Sequence, residues 1–426
     1  MFLLHSPAAA QRVPPPGALY KEYSWVSREN KDWRVTDEDA VQRFPERAAV
    51  FLPNPIREFE IASLQNATRV DLILDRWGGH RGTINKRISL NGGQWLPLPE
   101  PAHIPKHLRA EDVMYQDNVV IQVPLSQIRE GKNTLQAACD EEGGFGWGQW
   151  GINAFTVRVF YDDDTVRNDV QLSGDITSPQ TGATITDAPR IEVKANSASG
   201  VARVDIIAAY VGYDEDGDGD FGGWHVGSFQ WLRGAPMQWR DHVATLWRKP
   251  YSTVWDTHWV PDQEPGAISL VARIQDSRGF FFITEPVTDL TLKRTAHSVQ
   301  LFTAEGMTTD HGVRAGETKD CFFTLPKAIE LQRVTESALH FRSWHGWDGH
   351  HDPIQFNSHR MAIDGKNHFY DYDLLQLPIN SLVSGQNVFR VHSETEHHQL
   401  EVLWPGPALV VRIDKRAAAP EPKPGR

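Results

Sequence analysis

The sequence predicts an all-β protein: two copies of one β-sandwich module flanking a different sandwich. Three observations point there. The residues from Asp117 to Tyr161 return without a gap as Asp371 to Lys415, so Asp117, Gln122, Pro124, Gly131 and Asn133 reappear as Asp371, Gln376, Pro378, Gly385 and Asn387. A repeat of this length is a duplicated domain, not a solenoid. Nearly every periodic segment alternates with period two, as in Val70–Leu74, Val119–Val123, Arg203–Ile207, Ser269–Ile274 and Leu409–Ile413. Each is bounded by Gly, Pro, Asn or Asp, the pattern of strands joined by loops. A helical period shows only over single turns, Pro124–Glu130 and Pro378–Ser384, each stopped by a glycine.

Residues 1–19 read as a flexible N-terminus. MFLLHSPAAAQR holds a short apolar run and small residues with no basic region ahead of them. Taken as the remnant of an export signal, it points to a secreted, cell-surface or periplasmic location. Residues 20–165 form the first module. The repeat register continues to its end, matching Trp150 with Trp404 and Arg158 with Arg412. Residues 168–293 open with SGDITSPQTGATITDAPRIEV. A Ser-Pro turn, a glycine and an alternating strand are the usual start of an immunoglobulin-like sandwich. Residues 297–415 form the second module, shorter because 24 residues separate Gly92 from Asp117 and 5 separate Gly365 from Asp371. Residues 416–426 are Pro-rich and read as a disordered tail.

A net charge of −12, with no basic run to offset it, argues against nucleic acid as a partner. No apolar stretch reaches the roughly 20 residues that cross a bilayer. Cys139 and Cys321 lie in different modules at unmatched positions, which reads as two small buried side chains and no disulfide framework. Many of the 15 tryptophans sit beside Gly, Pro or His. Large flat rings in polar, loop-like contexts suit stacking on ligands.

The segment VPLSQIREGKNTLQ and its twin LPINSLVSGQNVFR end a strand with Pro, turn, and start the next strand with Gly-x-Asn. Pro stops the strand, Gly supplies the left-handed residue and Asn ties down the loop, so Gly131 and Gly385 are expected at positive φ. This segment resembles a stretch of the galactose-binding-like jelly-roll modules of secreted carbohydrate-active proteins. The resemblance covers about 45 residues per copy. It implies two jelly-roll β-sandwiches flanking the immunoglobulin-like one, and sugar binding or spacing as their work. Tandem jelly rolls also resemble peptide-N-glycosidase F and the two-domain copper monooxygenases, which implies an enzyme as the alternative.

Three constellations offer chemistry. Asp214, Asp216, Asp218 and Asp220 alternate with a glycine at the sixth position, Gly219, as in a calcium-wrapping loop. The twelfth position holds His225 where an EF-hand has Glu, and the flanks are strand-like, so a structural calcium loop on a β-hairpin is expected. The first loop of each module carries Trp77 and His80, and Trp344, His345, Trp347 and His350. Trp77 matches Trp344, and these loops, with His397 and His398, are the candidate ligand-binding residues, expected on open rims at matching ends of the two jelly rolls. The second module also holds His340, His351, His359, His368 and His392. Zinc or copper there would need several imidazoles to converge.

No nucleophile elbow, zinc-protease helix, phosphate loop or dinucleotide fingerprint occurs. No pair of carboxylates stands out, Asp348, Asp352 and Glu401 being scattered. The leading expectation is a non-catalytic, extracytoplasmic carbohydrate-binding or surface-adhesion protein with carbohydrate or glycoconjugate as partner. The alternatives are an enzyme acting on polysaccharide or glycoprotein at the jelly-roll loops, and a spacer in a larger secreted assembly.

Overall fold

The computed structural model describes residues 12–26, 33–142, 148–161, 164–229, 238–240, 242–345, 352–363, 369–394 and 399–416. The chain is all-β. In the first jelly roll, strands Arg57–Ile61, Gly131–Glu141, Thr83–Leu90 and Leu96–Pro97 make one sheet. They face a second sheet built from Trp33–Thr36, Gln149–Phe160, Arg69–Trp77 and Gln116–Val123. The second jelly roll repeats this plan, with Thr318–Leu325, Gly385–His392, Ile354–Phe356 and His359–Met361 in one sheet. Alternation along these strands turns Leu72, Leu74, Phe155 and Val157 into one core and Leu339, Phe341, Phe389 and Leu409 into the other. Cys139 and Cys321 are free and buried within these cores. Among the described residues no helix is long and apolar enough to cross a membrane.

The repeated turn behaves as its residues require. Gly131 and Gly385 have φ of 75° and 90°. Two residues on, Asn133 and Asn387 are fully buried, and each donates to two loop carbonyls: Arg129 and Gly131, and Val383 and Gly385. A second asparagine completes each knot. Asn91 and Asn357, both at φ 52°, donate to the Oδ1 atoms of Asn133 and Asn387, each at 2.8 Å. Gly92 therefore corresponds to Ser358. The expected match with Gly365, a residue outside the described ones, does not hold.

The constant repeat spacing also fails in the last strand. Val35 pairs with Trp150, and the corresponding Val313 pairs with Leu400. Asp71 pairs with Arg158, and the corresponding Ala338 pairs with Val410. The first module runs one strand, Gln149–Phe160, where the second breaks into Leu400–Val402 and Ala408–Asp414. A shorter loop before this strand and a turn within it only partly offset each other, so the constant spacing misaligns the whole strand. Trp404 lies in that turn, half-buried, its backbone N–H donating to the Met114 carbonyl at 2.8 Å. It belongs to the contact between the jelly rolls, not to the core position of Trp150.

The middle domain packs strands Ser173–Ser178, Arg190–Asn196 and Ser252–Val254 on a second sheet that includes Val201–Ala209 and Ile268–Asp276. It is not a bead on a string. Strand Leu19–Val26 pairs with Gln149–Phe160 on one side and Phe280–Ile283 on the other, so one sheet runs through the first jelly roll into the middle domain. At this seam Glu22 lies 3.0 Å from Arg158 and 3.3 Å from Arg273, and Arg273 is 2.9 Å from Asp205. Mutual pairing is what allows these charges to be buried.

Candidate functional site

Trp77 ends its strand and Trp344 is one residue from the end of the matching one, Trp77 beside Gly151 and Trp344 beside Glu401. A Cβ on Gly151 would lie 3.4 Å from the Trp77 indole, an ordinary contact, and the ring packs down, 3% exposed. Arg34 covers the ring at 4.5 Å and His80 meets it edge-on at 4.9 Å. Trp77 is therefore a core residue with no face for a ligand, which corrects its assignment as ligand-binding. Trp344, beside Glu401, stays half-buried.

His80 and Trp344 do not line two separate rims. Both line one cavity of about 200 Å³ between the jelly rolls, with Arg81, Asp310, Arg314 and Glu401. Burial and then Arg34 lower the His80 pKa to about 3, so its imidazole is neutral. The side chain of His345, and all of Trp347, His350, His397 and His398, lie outside the described residues, as do His351 and His368. Among the described residues the histidines form no group of three metal-ligating side chains. His392 lies 3.3 Å from the Thr318 hydroxyl, and His340 faces another cavity.

That second cavity, about 240 Å³, lies between the middle domain and the second jelly roll. Tyr210 and Tyr213 reach it from the end of strand Val201–Ala209, and Trp255 and Trp259 from the loop after Ser252–Val254. His340 and Tyr372 come from adjacent strands of the second jelly roll. Alternation that sends Leu339 and Phe341 into the core leaves His340 on the outer face of its sheet. The rings form two groups: Tyr213 is 5.8 Å from both His340 and Tyr372, with Trp259 edge-on to His340 at 6.2 Å, and Tyr210 is 5.6 Å from Trp255. Glu215, Asp256 and His258 add polar groups.

His340 is the informative member. It is 5% exposed, its Nδ1 is 2.5 Å from the Tyr372 hydroxyl, and its Nε2 has no hydrogen-bond partner among the described residues. Burial lowers its pKa to about 4, so the ring is neutral at pH 7. A buried ring nitrogen without a partner calls for one. The sequence held a signal here, since Tyr210 and Tyr213 directly precede the acidic run. The partners that give those rings meaning come from another domain.

The acidic run is a hairpin loop, as its strand-like flanks implied: Ala208 pairs with His225 and Ala209 with Trp224. Asp214, Asp216 and Asp218 bring carboxylate oxygens within 4.8 Å of one another. Asp214 accepts the N–H groups of Gly217 and Gly219 at 2.8 and 2.7 Å, and Asp218 accepts that of Asp220. Burial and then Asp218 raise the Asp214 pKa to about 7. Asp220 stands outside this trio and accepts the Gly222 N–H. His225 turns away, 2.9 Å from Glu215 and stacked on Tyr210 at 3.8 Å, while the Arg12 guanidinium pairs with Asp216.

This loop wedges between all three domains. A Cβ on Gly217 would overlap the Gln116 carbonyl of the first jelly roll and approach the Arg342 guanidinium of the second at 2.7 Å. One on Gly219 would lie 2.8 Å from His103 and 3.0 Å from Trp404. Arg342, buried, donates to the Gln116 carbonyl at 2.6 Å and to its side-chain oxygen at 2.5 Å, bridging the jelly rolls directly. The long connection of the first module, between Pro97 and Gln116, supplies His103 and Met114 to these contacts.

No protein-family model matches the chain, and no curated protein matches it. Among solved structures, a β-porphyranase of glycoside hydrolase family 86 from the human gut bacterium Bacteroides plebeius is similar at 10% identity and a TM-score of 0.21, over 59% of this chain and 37% of that one. Fibronectin(III)-like modules of CbhA from Clostridium thermocellum are similar at 12% identity and a TM-score of 0.19, over 52% of this chain and 95% of theirs. The chain thus spans well under half of the porphyranase. Likeness at this level assigns neither family nor activity.

Proposed function

We propose that the protein is an extracytoplasmic carbohydrate-binding or surface-adhesion protein whose acidic loop holds a structural calcium ion. One observation carries the reading: an aromatic cavity lined by His340, whose buried, neutral imidazole has one nitrogen without a partner among the described residues. Sugar rings offer C–H faces to aromatic side chains and hydroxyls to polar ones, and pockets of this mixed kind are where ligands bind. Tyr210, Trp259 and Tyr372, each half-buried, supply the faces. His340, Glu215 and Asp256 supply the polar groups.

A glycan array probed with and without calcium tests the reading. Binding to at least one class of glycan supports it. Wild-type protein that binds none of them, in either condition, leaves the spacer reading ahead.

Calcium suits the loop because its donors are hard carboxylate oxygens on a glycine-bent chain. Asp214, Asp216 and Asp218 would hold the ion, which would take the place of the Arg12 guanidinium at Asp216 and supply a double positive charge where three carboxylates crowd. The loop also carries Tyr213 and Glu215 into the aromatic cavity, so its order sets that wall. Calcium at 100 times its Kd should stabilise the fold by roughly 2.7 kcal/mol. Melting temperature should therefore rise from EDTA to millimolar calcium, and the rise should vanish in Asp216→Ala/Asp218→Ala. Identical melting in EDTA and in calcium would reduce the loop to an acidic turn.

A further inference from the structure

We propose that the cavity between the two jelly rolls is a second ligand site, taking a single sugar-acid ring through its carboxylate. It is separate from the aromatic cavity, and neither site rests on the other. Glu401 lies on strand Leu400–Val402, between Gly312–Val313 and Val334–His345. It is 7% exposed, and its carboxyl has no hydrogen-bond or ion-pair partner among the described residues. A buried carboxylate left unpaired is strongly disfavoured, and the group responds by keeping its proton. Burial, then Asp310, raise its pKa to about 8. At neutral pH it is a buried acid facing a cavity with an O–H to donate.

The surrounding charges decide what accepts that hydrogen. Asp310 and Arg314 flank Glu401 from the second jelly roll; Arg34, His80, Arg81 and Asp112 face it from the first. Arg81 is paired with Asp112 at 3.2 Å, and Asp310 has Lys319 at 3.6 Å. His80 is neutral. The Arg314 guanidinium has no ion-pair or hydrogen-bond partner among the described residues, and Arg34 adds a second positive field at both His80 and Glu401. With Glu401 protonated, and Arg81–Asp112 and Lys319–Asp310 paired, the exposed Arg314 is the positive charge at the cavity left to meet a ligand. The ligand group that fits is an anion that accepts an O–H: a carboxylate, held by a charge-assisted hydrogen bond from Glu401 and by Arg314. Trp344 lines the cavity beside it. A volume of about 200 Å³ falls below the roughly 300–1,000 Å³ of drug-sized pockets, so one ring fits and a chain does not.

The test is calorimetric titration of the full chain with galacturonate and with galactose, at pH 6.5 and pH 9.5. Galacturonate should bind at pH 6.5 and weaken about tenfold or more at pH 9.5, as Glu401 ionises and repels it. Glu401→Gln carries an amide donor that does not titrate and should lose that pH dependence. Arg314→Ala should weaken binding at pH 6.5 about tenfold, while Trp259→Ala, in the aromatic cavity, should leave galacturonate affinity as it is. The proposal is overturned if galacturonate fails to bind at pH 6.5, if galactose binds this cavity as well as galacturonate does, or if Glu401→Gln keeps the wild-type pH profile. Loss of galacturonate binding in Trp259→Ala would place the ligand in the other cavity and also overturn it.

Discussion

Gly217→Val should separate the two jelly rolls. Gly217 has φ of 71°, and any Cβ there would meet the Gln116 carbonyl and the Arg342 guanidinium at once. A β-branched residue at this φ costs about 1–3 kcal/mol in backbone strain. Forcing bulk into a packed contact costs about 1–3 kcal/mol more. Each sandwich has its own core, so the strain should be relieved at the junction: the hairpin withdraws, the Arg342–Gln116 bridge breaks, and both cavities lose a wall. Small-angle scattering should show a larger radius of gyration, and the connection from Pro97 to Gln116 should become sensitive to protease. Unchanged scattering and unchanged protease resistance would mean that the loop is not a wedge.

Asn387→Ala should destabilise the second jelly roll by an estimated 3–5 kcal/mol, since it abandons several buried backbone groups at about 1–3 kcal/mol each. Its amide donates to the Val383 and Gly385 carbonyls, and its Oδ1 accepts from the Val383 N–H and from Asn357. Asn133→Ala should do the same to the first jelly roll, where Arg129, Gly131 and Asn91 stand in matching places. Urea unfolding measures both. A loss below about 1 kcal/mol would show that water replaces the amide without cost.

What the sequence revealed and what it hid divide by range. The Pro-turn-Gly-x-Asn segment was legible because its demands are local: a strand stop, one positive φ, and a side chain bonded to its own loop. The acidic hairpin was legible for the same reason. Asn91 and Asn357 escaped because they complete the knot from another strand, in flanks that share no spacing. Trp404 was misread because a shortened loop and an added turn change the residue spacing of the last strand, which a constant offset conceals. Trp77 was misread because part of its cover comes from Arg34, far back along the chain. The aromatic cavity needs side chains from two domains, and no single stretch of sequence contains it.

Whether the aromatic cavity binds sugar is tested most directly by calorimetric titration of a glycan that the array selects, against wild type and Trp259→Ala. Trp259 is half-buried at the cavity and contributes to no hydrophobic core cluster among the described residues. Its removal should therefore cost affinity without cost to the fold. A stacked ring contributes on the order of 0.5–1.5 kcal/mol beyond its burial, so affinity should fall about tenfold while the melting temperature stays the same. Equal affinity in the two proteins, at equal melting temperature, would contradict the account.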